Sequence, residues 1–82
     1  MDTLILYDIN KNAFYINVKR VFYYNLKKYG IKEERLLKSA IIIDNEEKAG
    51  NVINLIKTIK NKYGDDSISA YVIKGSFIIE KI

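Results

Sequence analysis

The 82-residue sequence predicts an α+β protein, two layers deep, with two helices on one face of a sheet of four or more strands. Three observations predict it. Two stretches carry apolar residues at spacings of three and four, as amphipathic helices do. Four short stretches are rich in β-branched or aromatic residues, as strands are. Single helices alternate with strands along the chain, β-α-β-α, before a closing hairpin-like pair. That order around one sheet is the order of a ferredoxin-like sandwich, here a single domain over residues 1–82.

The first strand is Thr3-Leu4-Ile5-Leu6-Tyr7-Asp8-Ile9-Asn10, and its nearly continuous apolar run reads as a strand buried on both faces. Helical periodicity follows over residues 11–29, with Tyr15, Val18, Phe22, Leu26 and Tyr29 on one face. Asn12 is the candidate N-cap, and Gly30 stands where a helix end favours a left-handed residue. Lys27 and Lys28 in the last turn suit the helix dipole. A charged connector, residues 31–35, leads to a second strand at 36–43 that closes at Asp44-Asn45.

In the second helix Ala49, Val52, Ile53, Ile56, Ile59 and Tyr63 form the buried stripe. Asp44 and Glu47 stand at capping-box spacing, and Gly64 closes the helix. Gly50 weakens this helix by up to ~1 kcal/mol relative to alanine, and close approach to the sheet is one reason to keep it. A third strand at 67–73, a turn at Lys74-Gly75-Ser76 and a fourth strand at 77–82 complete the chain. The ferredoxin-like order needs a hairpin between the helices. Residues 31–44 are barely enough for one, so the second strand either bends or pairs alone.

Composition narrows the chemistry. With neither Cys nor His, the chain has no disulfide, no thiol chemistry, no His-based triad and almost no route to a zinc site. Catalysis must use carboxylates, hydroxyls, Lys, Arg or a hard metal ion. Fourteen Lys and Arg against ten Asp and Glu leave a net charge of +4, which favours polyanionic partners. A domain this small hides only roughly 60% of its unfolded surface, and dimerisation is a common remedy. No apolar run reaches membrane-spanning length and Met1 opens no signal-peptide pattern, so a cytoplasmic protein without membrane contact is expected.

Asp8 is the carboxylate that stands out, because it interrupts an otherwise apolar strand. Burying it unpaired would cost several kcal/mol. It therefore belongs at the strand's mouth, either as a turn former with Asn10 and Asn12 or as a ligand for a metal or partner. The other acidic residues sit at turns or first helical turns, where capping explains them. The basic residues group as Lys19 and Arg20 on the first helix, Lys27 and Lys28 at its end, and Lys32 and Arg35 in the connector. Interleaved with tyrosines, they fit either a solvated face or a nucleic-acid-binding one. Ser39 has no base near it in sequence and reads as an edge or hydrogen-bonded residue.

Nearly the whole chain resembles the small CRISPR-associated adaptation protein, second of the two core Cas proteins that acquire spacers. Members open with an apolar strand ending in Tyr-Asp-Ile or a similar triplet, as Tyr7-Asp8-Ile9 does here. Their first helix often closes near Tyr-Gly, matched by Tyr29-Gly30, and their next strand carries a Ser-led core where Ser39-Ala40-Ile41 stands. A later Asp-Ser-Val-x-x-Tyr strand is similar to Asp66-Ser67-Ile68-Ser69-Ala70-Tyr71, and a last strand that often crosses to the partner subunit is similar to residues 77–82. The family's Phe-Glu-Gly after the Ser is replaced by Ile41-Ile42-Ile43, and the connector is longer than usual. Virulence-associated D-type ribonucleases share the fold.

The resemblance implies a symmetric homodimer in antiviral defense that binds duplex DNA or RNA and contacts the CRISPR integrase subunit. It implies that Asp8, one from each subunit, is the catalytic and metal-ligating residue of an endonuclease using Mg²⁺ or Mn²⁺. Within the adaptation complex such a protein acts mainly as a scaffold for DNA, which needs the basic surface and not Asp8. A toxin-like ribonuclease of the same fold and a non-enzymatic regulatory or interaction module are the alternatives.

Overall fold

The computed structural model of the chain describes residues 2–31, 35–37, 39–76 and 80, with 35–37 described by their backbone alone. Its elements in order are β1 (Asp2–Ile9), α1 (Tyr15–Lys28), β2 (Arg35–Leu37), β3 (Ala40–Ile43), α2 (Glu46–Tyr63) and β4 (Ile68–Gly75). The strands lie in the order β2-β3-β1-β4, and every neighbouring pair is antiparallel. The body of this sheet is three-stranded, β3-β1-β4, with the three-residue β2 as a short edge. The α+β class holds, and the arrangement is compatible with the ferredoxin-like type.

β1 is the hub. It pairs with β4 from Asp2 opposite Gly75 to Ile9 opposite Ile68, and with β3 from Thr3 opposite Ile43 to Leu6 opposite Ala40. Successive side chains point to opposite faces. Thr3, Ile5 and Tyr7 are buried, while Leu4 is half-buried and Leu6 and Asp8 are exposed. The expected burial on both faces is thus corrected: the helices cover one face of β1, and the other is open.

Under the helices Ile5, Val18, Phe22, Val52, Ile59 and Ile68 are fully buried. The rings of Tyr7 and Phe22 lie 4.7 Å apart, within the range of favourable aromatic pairs. α1 starts at Tyr15, later than the periodicity suggested. The Asn12 side chain accepts the Phe14 N–H at 2.9 Å and its carbonyl accepts the Tyr15 N–H at 3.1 Å, so Asn12 builds a turn ahead of the helix. At the other end the Gly30 N–H donates to the Lys27 carbonyl and the Ile31 N–H to the Leu26 carbonyl, both at 3.0 Å. This Schellman pattern needs a left-handed residue, and Gly30 has φ +71°. Leu26 and Ile31, both buried, add the apolar contact that accompanies it.

The cap of α2 is Asn45, not Asp44. Its side chain accepts the Lys48 N–H at 3.0 Å from an extended backbone, the geometry an N-cap requires. The buried stripe includes Leu55, with Ile53 and Tyr63 packed half-buried at its margin. Both helices are followed by glycine, but Gly64 has φ +106° and ψ 154°, so α2 ends without the Schellman turn. A Cβ built at Gly50 would meet nothing within 4 Å, so close approach to the sheet does not require glycine there. Gly50→Ala is accordingly expected to raise stability by about 0.5–1 kcal/mol in urea denaturation. A lowered midpoint would contradict this.

The second strand expected at 36–43 is two strands, β2 and β3. Their pairing shifts register between Arg35 and Leu37, and Ser39, polar inside the apolar run, lies in a turn just before β3. The Ser39 carbonyl accepts the Tyr7 N–H at 2.9 Å, which ties this corner to β1. The third expected strand is β4, which starts one residue later and absorbs Lys74 and Gly75. Ser67, fully buried, anchors its start by donating from backbone and hydroxyl to the Gly64 carbonyl, while its own carbonyl accepts the Asn10 N–H. The strand expected at 77–82 falls outside the described residues, apart from Glu80. No helix among the described residues is long and apolar enough to cross a membrane.

Candidate nucleic-acid interface

Asp8 sits one residue before the end of β1, exposed, opposite Ser69 of β4. Past it the chain turns through Asn10–Asn12 and α1 runs back over the sheet. Between the strand end and the first turns of α1 lies a cleft of about 340 Å³, lined by Asp8, Lys11, Tyr15, Lys19, Tyr23 and Ser39. Tyr15, Lys19 and Tyr23 follow each other at i, i+4 and so share one stripe of the helix. The Tyr7 and Tyr23 hydroxyls are hydrogen-bonded at 2.8 Å, which fixes that stripe to β1. The Lys19 ammonium stands 5.8 Å from the centroid of the Tyr15 ring, at the reach of a cation–π contact. Among the described residues Asp8, Lys11 and Lys19 make no ion pair.

A second, more apolar cavity of about 280 Å³ opens on the uncovered sheet face among Leu6, Asp8, Ala40, Ser69 and Tyr71. Tyr7, Asp8 and Ser39 line both cavities, so Asp8 stands on the wall between a basic cleft and an apolar face.

The structure divides the residues singled out in the sequence. Lys19, Arg20, Lys27 and Lys28 are all exposed on α1. At about 100° per residue, Lys27 continues the Tyr15-Lys19-Tyr23 stripe, while Arg20 and Lys28 flank Tyr24 on a second stripe. Only Lys19 of the four reaches the cleft with Asp8. Lys32 and the Arg35 side chain lie outside the described residues. Lys11 and Tyr15 belong to the site, although the sequence reading gave them no functional role. The i, i+4 ladder of Tyr15, Lys19, Tyr23 and Lys27 was the available signal for the second of these.

Among the described residues Asp8 is the only carboxylate lining either cavity. Among the described residues no three acidic side chains come together as a metal-binding group. Mg²⁺ is commonly held by one or two carboxylates plus waters. Among the described residues, a metal ion at this place would find the single carboxylate of Asp8. Compared with models of known families and with curated proteins, the sequence finds no match.

Proposed function

We propose that the chain is a cytoplasmic, homodimeric nucleic-acid-binding protein of the CRISPR adaptation type, a ferredoxin-like scaffold that holds duplex DNA beside an integrase subunit. The observation that carries this reading is the cleft with the ammonium groups of Lys11 and Lys19, which make no ion pair among the described residues, continued along α1 by Tyr23 and Lys27. Exposed cations interleaved with half-buried aromatic rings on one stripe suit a phosphate backbone.

The sheet supports the dimer. Leu6, Tyr71 and Ile73 are 37%, 74% and 45% exposed on the open face, and nothing among the described residues covers the outer edge of β4. A second copy packed there hides these side chains and brings the two Asp8 residues toward one axis. Two carboxylates across a two-fold axis repel each other, which favours a divalent cation between them. Mg²⁺ or Mn²⁺ held there by the two Asp8 carboxylates would supply Lewis acidity toward a phosphodiester and an activated water. The scaffold role stands without that chemistry.

The test replaces Lys19 and Lys27 together by alanine and measures duplex DNA binding across salt concentrations. Each lost phosphate contact lowers the slope of log affinity against log salt by about 0.9, so a fall of about two is expected. An unchanged slope in a variant that keeps its helical circular dichroism would contradict the assignment.

A further inference from the structure

Besides the duplex-binding stripe, three features stand out: the apolar cavity on the open sheet face, a hollow of about 250 Å³ lined by Thr3, Glu46, Gly50 and Lys74, and the half-open concavity of the cleft itself. The first is covered by the proposed dimer. The second offers one cation and one carboxylate, with no distinctive chemistry. The third asks why a protein that only tracks a continuous backbone should build a pocket at all.

A backbone phosphate is a diester with one negative charge, and a stripe of exposed lysines is sufficient for it. The cleft differs from such a stripe. Lys11 comes from the turn after β1 and Lys19 from the second turn of α1, so two cations from separate elements converge on one cavity. Neither is neutralised by an ion pair among the described residues. Lys19 is steadied over the Tyr15 ring, which reduces the entropy lost when it engages an anion. With about −1.5 to −2 charges at neutral pH, a phosphate monoester is drawn to the two ammonium groups more strongly than a singly charged diester, although Asp8 lines the same cleft. The cavity, about 340 Å³, exceeds what a bare phosphate fills and leaves room for the attached sugar. Asp8 also lines the cleft and gives it a polarity, because a phosphate is repelled from a carboxylate.

We propose that this cleft binds a phosphate monoester carried on a nucleoside, the phosphate between Lys11 and Lys19 and held away from Asp8. The inference rests on the nucleic-acid reading for one source of that group, the 5′-phosphate end of a strand; a free mononucleotide is the other source.

The experiment titrates the intact protein with one fluorescent duplex bearing either 5′-phosphate or 5′-hydroxyl ends, and separately with a nucleoside monophosphate. The 5′-phosphorylated duplex is expected to bind about tenfold more tightly, the effect of one charge-assisted contact. That advantage disappears in Lys11→Ala and in Lys19→Ala, whose exposed side chains can be removed without unfolding the chain. Asp8→Asn has the diagnostic sign: removing a like charge strengthens phosphate binding about two- to threefold. Weaker binding in Asp8→Asn would overturn the proposed placement. Equal affinity for the two duplexes, with no mononucleotide binding, overturns the inference and leaves the duplex-binding function standing. Mononucleotide binding lost in Lys11→Ala, with no affinity for either duplex, supports the monoester site and overturns the nucleic-acid reading instead.

Discussion

Removing residues 76–82 is expected to convert a symmetric dimer into a monomer or a soluble aggregate, read by light scattering on the purified protein. β4 is an edge strand of eight residues, and Tyr71, Val72 and Ile73 are exposed on it in succession, so apolar side chains face both sides of the edge. Such an edge left open templates pairing with other chains. Phe77, Ile78 and Ile79 follow it after Ser76 in the sequence. A last strand that adds to the sheet of a second copy satisfies backbone groups and covers apolar area together. A chain of 82 residues without disulfides has little core to spare, which makes the loss of this cover large in effect. A truncated protein that remains a soluble dimer would place the interface elsewhere. A monomeric full-length protein would count against the adaptation-type reading as a whole.

Asp8→Asn is expected to leave folding unchanged within about 0.5 kcal/mol while abolishing any nuclease activity the dimer has. The carboxylate is exposed and makes no hydrogen bond or ion pair among the described residues, so its loss leaves no partner stranded. If cleavage of DNA or RNA occurs, it should require Mg²⁺ or Mn²⁺, stop in chelator and vanish in this variant. Cleavage that survives Asp8→Asn removes the residue from the mechanism. Cleavage confined to RNA would move the chain to the toxin-like ribonuclease alternative, and absence of all nucleic-acid binding would move it to a regulatory or interaction module.

The two helices and the central strand were legible because their patterns are physical necessities of burial. Val18, Phe22 and Leu26, and Ala49, Val52, Ile56 and Ile59, each recur at helical spacing and each prove buried. The hairpin between the helices was not legible. Its strands are three and four residues long, too short for a period to show, and an apolar run from Leu36 to Ile43 hides the turn at Ser39. Burial of β1 was overestimated for a related reason. Leu4 and Leu6 look like core residues in sequence, but periodicity cannot say whether a second layer exists to cover them. Asp8 was readable as a strand-mouth carboxylate. Its neighbours in the cleft were harder to read, because Lys11 is placed there by the turn after β1 and Lys19 by the packing of α1 against β1.

The most direct test of the central claim is the affinity of the wild-type protein for duplex DNA of arbitrary sequence, followed by fluorescence between about 50 and 200 mM salt. If several lysines engage phosphates, counterion release should lower the affinity steeply over that range, independently of sequence. The proposed function predicts tight binding at about 50 mM and a loss of at least tenfold by about 200 mM. A flat response, or no binding at about 50 mM, would contradict it.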